Sequence, residues 1–107
     1  MTTVTSTIRF DKYVFSRVKP YSKSAICYTP IDWVGKQVLI IPVNWQVSDK
    51  TIEHSKLEDG TYEFTTHTGE MFIKTISKGS NVGRVYLHQD YIGADVLIVE
   101  APQIDTT

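Results

Sequence analysis

A mainly β fold is what this sequence predicts, on three observations. Valine, isoleucine and threonine supply 35 of the 107 residues against seven alanines and leucines together. β-Branched side chains are stiff at χ1 and suit a pleated, half-buried surface better than a helix. One phrase is written twice, as WVGKQVLII at 33–41 and as YIGADVLIV at 91–99. Each copy carries a continuously apolar, β-branched run, QVLIIPV or DVLIVEA, of the kind that passes through a core. A core of usual size takes about 100 residues, so 1–107 reads as a single domain.

The repeat is wider than the phrase. Sliding the chain by 58 positions aligns Val14–Val43 with Phe72–Ala101 without a gap. Ser22/Ser80, Tyr28/Tyr86, Asp32/Asp90, Gly35/Gly93, Val38/Val96, Leu39/Leu97 and Ile40/Ile98 are identical, and apolar residues face apolar ones between them. This defines repeat unit 1 (12–43), a connector (44–69) and repeat unit 2 (70–101).

Taken in order, each unit opens with an extended segment, Lys12–Val18 or Phe72–Lys78. A polar turn follows, KPYSKS or KGSNVG, with Pro20, Gly79 and Gly83 as turn formers. A second strand comes next, Ala25–Thr29 or Arg84–Leu87. PIDWVG or HQDYIG then allows about one helical turn, which Asp32 or Asp90 is expected to cap and a glycine to end. The apolar run is the third strand. The connector reads as an acidic hairpin turning at Asp59-Gly60. The first eight and last four residues are polar, Thr-rich and expected to fray. A unit of this size cannot bury its own apolar face, so the expected architecture is a pseudo-twofold β-barrel in which each half closes the other.

No apolar stretch is long enough to span a bilayer, and MTTVTSTI lacks the basic and apolar regions of a signal peptide, so a cytoplasmic protein is expected. Cys27 has no second thiol to pair with and reads as a small buried hydrophobe.

Net charge is −1, but the charges are segregated. Lys12, Arg17, Lys19 and Lys23 lie in 12–28 and Lys74, Lys78 and Arg84 in 71–89, with no acid in either stretch, whereas 49–70 holds six acids against Lys50 and Lys56. Two basic hairpins on a pseudo-symmetric barrel would present their turns side by side toward duplex DNA. Lysines would contact phosphates and an arginine would read guanine in the major groove. Arg17, Lys19, Ser22, Lys23, Lys74, Lys78, Ser80, Asn81 and Arg84 are the candidate DNA-binding residues.

The string GRVYLHQDYIGADVLIV resembles the GRVxLP signature of the AbrB/SpoVT/MazE class of swapped-hairpin proteins. YTPIDWVGKQVLII and YLHQDYIGADVLIV are more closely similar to the P-x-x-W/Y-I/V-G-x-x-V-x-V-I ending of an uncharacterised, transposon-encoded archaeal family with AbrB-like character. The resemblance covers 12–43 and 70–101. His88 stands where the family has proline, and Ala25-Ile26 replaces Gly-Arg in the first copy. The resemblance implies a duplicated swapped-hairpin barrel, DNA binding by hairpin loops, and a transcription regulator or antitoxin, with a toxin as a possible partner. An intramolecular barrel would allow a monomeric pseudo-dimer, whereas exposed third-strand edges would promote further pairing into a homodimer.

Trp33 and Tyr91 read as plugs of the barrel ends, and Trp45, Tyr62 and Phe64 as core or interface. Tyr21, Tyr28 and Tyr86 offer only a weak case for single-strand binding, which needs aromatics interleaved with cations on an open face. His54, His67 and His88 are isolated, and no phosphate loop, nucleophile elbow or metal-ligand spacing appears, so neither catalysis nor a cofactor is expected. The competing reading is a protein-interaction module that docks through the acidic hairpin 49–70 and binds no DNA.

Overall fold

A computed structural model describes residues 6–43, 52–66, 71–100 and 103–106. The described strands are β1 (Ser6–Phe10), β2 (Tyr13–Arg17), β3 (Lys19–Tyr21), β4 (Ser24–Thr29), β5 (Gln37–Val43), β6 (Tyr62–Thr66), β7 (Phe72–Thr75), β8 (Ser77–Lys78), β9 (Gly83–Leu87), β10 (Asp95–Glu100) and β11 (Gln103–Thr106). They form three sheets: a terminal sheet β11-β1-β6, a central sheet β2-β10-β5-β7 and a third sheet β3-β4-β9-β8. The protein is mainly β, as its composition predicts.

The apolar runs occupy the middle of the central sheet. Successive side chains of a strand point to opposite faces, so an unbroken apolar run means that both faces are covered. Val38, Ile40, Val96 and Ile98 enter one core with Val18, Ala25, Cys27, Trp33, Ile76, Val85 and Leu87. Leu39, Ile41, Leu97 and Val99 enter a second with Ile8, Phe10 and Ile52. Full burial of each such aliphatic side chain stabilises by about 1.5–3 kcal/mol.

The strand registers repeat with the sequence offset. Arg17 faces Asp95 and Phe15 faces Leu97 across β2 and β10, while Thr75 faces Gln37 and Ile73 faces Leu39 across β7 and β5. Lys19 faces Ile26, and Ser77 faces Arg84. Moving each residue to its counterpart in the other unit converts one pairing into the next. Two ladders cross the axis of this pseudo-symmetry, where a residue meets its own counterpart: Ile40 faces Ile98 in the central sheet, and Cys27 faces Val85 in the third.

Strands are thereby exchanged between the units, β2 pairing with β10 and β7 with β5. Backbone bonds beyond the strands follow the same exchange. Val18 N–H donates to Ala94 O at 2.9 Å and Gly93 N–H to Val18 O at 2.8 Å; in the mirrored pair, Ile76 N–H donates to Lys36 O at 3.0 Å and Gly35 N–H to Ile76 O at 2.9 Å. Gly35 (φ +86°) and Gly93 (φ +89°) take the left-handed conformation that ends the short 3-10 turns Ile31–Trp33 and Gln89–Tyr91.

Two expectations are corrected. Neither Asp32 nor Asp90 caps its turn, because each turn starts earlier and places the aspartate inside it. The capping positions are Pro30, with no side-chain bond, and His88, whose Nδ1 accepts from Asp90 N–H at 3.2 Å. The chain ends are not frayed where they are described. β1 is the middle strand of the terminal sheet, Ser6 opposite both Thr106 and Thr66, because Ile8 and Phe10 alternate with Thr7 and Arg9 and fill the second core. The connector does turn at Asp59-Gly60, where Asp59 Oδ1 accepts from Thr61 N–H at 3.0 Å and Thr61 Oγ1–H at 2.6 Å. Across this turn Leu57 N–H donates to Thr61 O at 2.7 Å and Glu63 N–H to Ser55 O at 3.2 Å, around the bridge from Lys56 to Tyr62, and the outgoing strand β6 also pairs with β1. Tyr62 and Phe64 pack on the second core as expected; Trp45 lies outside the described residues.

Candidate nucleic-acid interface

The third sheet separates its side chains by strand alternation. Ala25, Cys27, Val85 and Leu87 point into the first core. Residues directly opposite on neighbouring strands share a face, so the registers assign the other face. One row is Lys19, Ile26 and Tyr86; the row related to it by the pseudo-symmetry is Ser77, Arg84 and Tyr28. Tyr21, opposite Ser24, completes the surface. Stretches 19–29 and 77–87, which form these strands and their turns, contain Lys19, Lys23, Lys78 and Arg84 and no acid. This third sheet is therefore a basic sheet.

The aromatic rings of this face are open to solvent, Tyr21 at 44%, Tyr28 at 38% and Tyr86 at 39% of full exposure. The ring centroids of Tyr21 and Tyr86 are 5.6 Å apart at a tilt of 54°. Lys19 Nζ lies 5.9 Å from the centroid of Tyr28. Hydrogen bonding by Tyr86 raises the pKa of the Arg84 guanidinium. Its buried Nε has no hydrogen-bond partner among the described residues. Among those residues no carboxylate pairs with Lys19, Lys23, Lys78 or Arg84. Ile26 is buried on this same face, in register with Lys19 and Tyr86.

The structure gathers seven of the nine sequence candidates and sets two apart. Lys19, Lys78 and Arg84 are on the strands of the basic sheet, Ser22 and Lys23 in the β3–β4 turn, and Ser80 and Asn81 in the β8–β9 turn. Ser22 adopts φ +52°, the left-handed corner of its turn. Arg17 and Lys74 belong to the central sheet. Arg17 is also engaged, with Nε 3.0 Å from Asp95 Oδ1 and Nη2 3.4 Å from Oδ2.

The expectation of neighbouring tips is corrected. β4 and β9 run antiparallel, Ala25 opposite Leu87 and Thr29 opposite Gly83. The turn at 22–23 therefore stands at one end of this ladder and the turn at 79–82 at the other. Five paired residues span about 14 Å at 3.4 Å per step, so the tips are separated by more than that. The cause is the pseudo-symmetry itself, because a twofold axis through an antiparallel ladder sends equivalent turns to opposite ends. What the two units hold in common is the face between the tips. Its three tyrosines are the signal available in the sequence, and only the register shows that they share a face with Lys19 and Arg84.

Elsewhere, Trp33 is buried in the first core, and Tyr91 packs edge-on against Phe72 with centroids 5.2 Å apart. The described acids of the connector include two that act within the chain. Glu63 pairs with Arg9 at 3.0 Å, and Glu53 accepts from Tyr13 Oη at 3.0 Å and Tyr62 Oη at 3.3 Å. His88 Nδ1 lies 3.2 Å from Asp90 Oδ2, and no group of three or more metal-ligating side chains occurs among the described residues. No helix among them is long and apolar enough to cross a membrane. Comparison of the chain with models of protein families, with curated proteins and with solved structures finds no match.

Proposed function

We propose that this is a small DNA-binding protein, a regulator or antitoxin-like factor, whose contact surface is the basic sheet and its two turns. The observation that carries the reading is that the cations of this sheet and its turns, Lys19 and Arg84 on its outer face, Lys78 on its edge strand and Lys23 in a turn, have no carboxylate among them. A polyanion is the complement of such a surface, and release of its counterions drives association. The exchange of strands between the units supports a swapped-hairpin arrangement folded within one chain, in line with the AbrB-like resemblance. With the tips at opposite ends of the β4–β9 ladder, contact passes from the tips alone to the face between them. Engagement of Glu53 and Glu63 within the chain leaves the acidic-docking alternative with less to stand on.

The test is fluorescence anisotropy of labelled oligonucleotides, single- and double-stranded, across a range of NaCl concentrations. Four phosphate contacts give a log–log salt slope of about −3. The Lys19→Glu/Lys78→Glu protein is expected to lose binding while keeping its circular dichroism spectrum. Salt-independent affinity, or unchanged binding by the charge-reversed protein, overturns the proposal.

A further inference from the structure

The geometry points to an unpaired DNA strand, rather than a duplex, as the occupant of the basic sheet, its bases stacking on Tyr21, Tyr28 and Tyr86. This rests on the DNA-binding reading and names the form of the ligand. Two features of the face carry it.

The first is width. The major groove is about 12 Å across and admits a two-stranded ribbon. Four strands spaced about 4.8 Å apart already measure about 14 Å between outer strand axes before side chains are added. The face as a whole cannot enter a groove, and its two ribbon tips point away from each other.

The second is chemistry. A duplex hides the faces of its bases, and exposed tyrosine rings have nothing to stack against in it. An unpaired strand offers both a π-face at each base and a phosphate beside it, which are what aromatic rings and cations bind together. Here the two are interleaved: Lys19 beside Tyr28, Arg84 in register with Tyr28, and Tyr21 against Tyr86. Tyr28 and Tyr86 are counterparts in the two repeats. They sit diagonally across the β4–β9 ladder, about 7–8 Å apart at the backbone, within reach of successive bases of an extended strand.

Anisotropy with labelled dT20, U20 and a mixed-sequence 20-base-pair duplex, at one low salt concentration, decides the matter. The expected result is that dT20 binds at least tenfold more tightly than the duplex. Tyr28→Ala/Tyr86→Ala should lose roughly tenfold or more toward dT20, in keeping with the cost of removing stacked rings, whereas Tyr28→Phe/Tyr86→Phe keeps it. Duplex bound as tightly as dT20, with that binding lost in Lys19→Glu/Lys78→Glu, overturns the single-strand inference and leaves the DNA-binding reading in place. U20 bound as tightly as dT20 overturns the commitment to DNA. No binding to any of the three overturns both. Should the alanine protein fail to fold, photo-crosslinking of 5-iodouracil-substituted dT20 to the unaltered protein gives the answer. Adducts on Tyr21, Tyr28 or Tyr86 are expected, and adducts confined to other residues contradict the inference.

Discussion

Ile40 faces Ile98 across the β5–β10 ladder, and both side chains are fully buried. They are the same position in the two repeats, so the centre of the first core is a residue packed against its own counterpart. Ile40→Ala and Ile98→Ala should each cost roughly 2–5 kcal/mol. The double variant should cost less than their sum, because both truncations open one shared cavity. Guanidinium denaturation of the three proteins measures this; strict additivity would show that the cavities are separate.

Gly83 is a glycine because there is no room for anything else. A Cβ placed on it would meet Thr29 Oγ1, and would lie 2.7 Å from a methyl group of Ile76 and 3.2 Å from Pro30 O. Gly83 stands opposite Thr29 in the β4–β9 ladder, where neither strand can retreat without breaking pairing. Gly83→Ala is therefore expected to destabilise by about 1–3 kcal/mol, as overpacked sites do. At Gly35 the space is open and the obstacle is the positive φ alone, so Gly35→Ala should cost less, about 1 kcal/mol. Urea titrations of the two variants give the order.

Burial pushes the Cys27 thiol from an ordinary 9.0 up to about 11, partly opposed by a hydrogen bond from Ser16. The folded pKa is the higher one, so this contribution to stability is complete below the unfolded pKa and is lost as pH rises from about 9 through 11. Between about pH 8.5 and 10.5 the protein should lose roughly 1–2 kcal/mol more than Cys27→Val does under the same conditions. Cys27→Val also places on β4 the residue that its counterpart, Val85, places on β9. Denaturation midpoints at the two pH values provide the comparison, and parallel losses in both proteins would discount the thiol.

Arg17 and Lys74 carry charge but stand outside the basic sheet. Arg17→Ala and Lys74→Ala should each leave the dissociation constant for DNA within about threefold, the scale of a weak, screened surface charge. Lys19→Ala and Arg84→Ala should weaken it further and flatten the salt slope by about 0.7–0.9 for each phosphate that is no longer neutralised. Anisotropy under one set of salt conditions separates the two groups. A larger loss from Arg17→Ala than from Arg84→Ala would relocate the interface to the central sheet.

Much of the fold is legible in the sequence for a simple reason: the chain states its units twice, and each statement checks the other. Val38–Ile41 and Val96–Val99 announce strands buried on both faces. Gly35 and Gly93 announce where the short turns stop. β1 is hidden because Thr2, Thr3, Thr5 and Thr7 make its surroundings look polar, although Ile8 and Phe10 already show the period of two. The candidate residues are legible as types but not as a place. Charge segregation identifies Lys19, Lys23, Lys78 and Arg84, but spacing along a chain carries no information on whether two related ladders run parallel or antiparallel. That single direction decides whether equivalent turns become neighbours or opposites.

Exchange of strands between units has a further consequence. Two separate, identical subunits joined in this way would have to show every substitution on both sides of their axis. Within one polypeptide that obligation lapses, and here it has lapsed: Arg84 answers to Ile26, His88 to Pro30 and Ser77 to Lys19. The surface so produced has a handed gradient from one end to the other. A polymer whose 5′ and 3′ ends differ meets a dock with a bow and a stern.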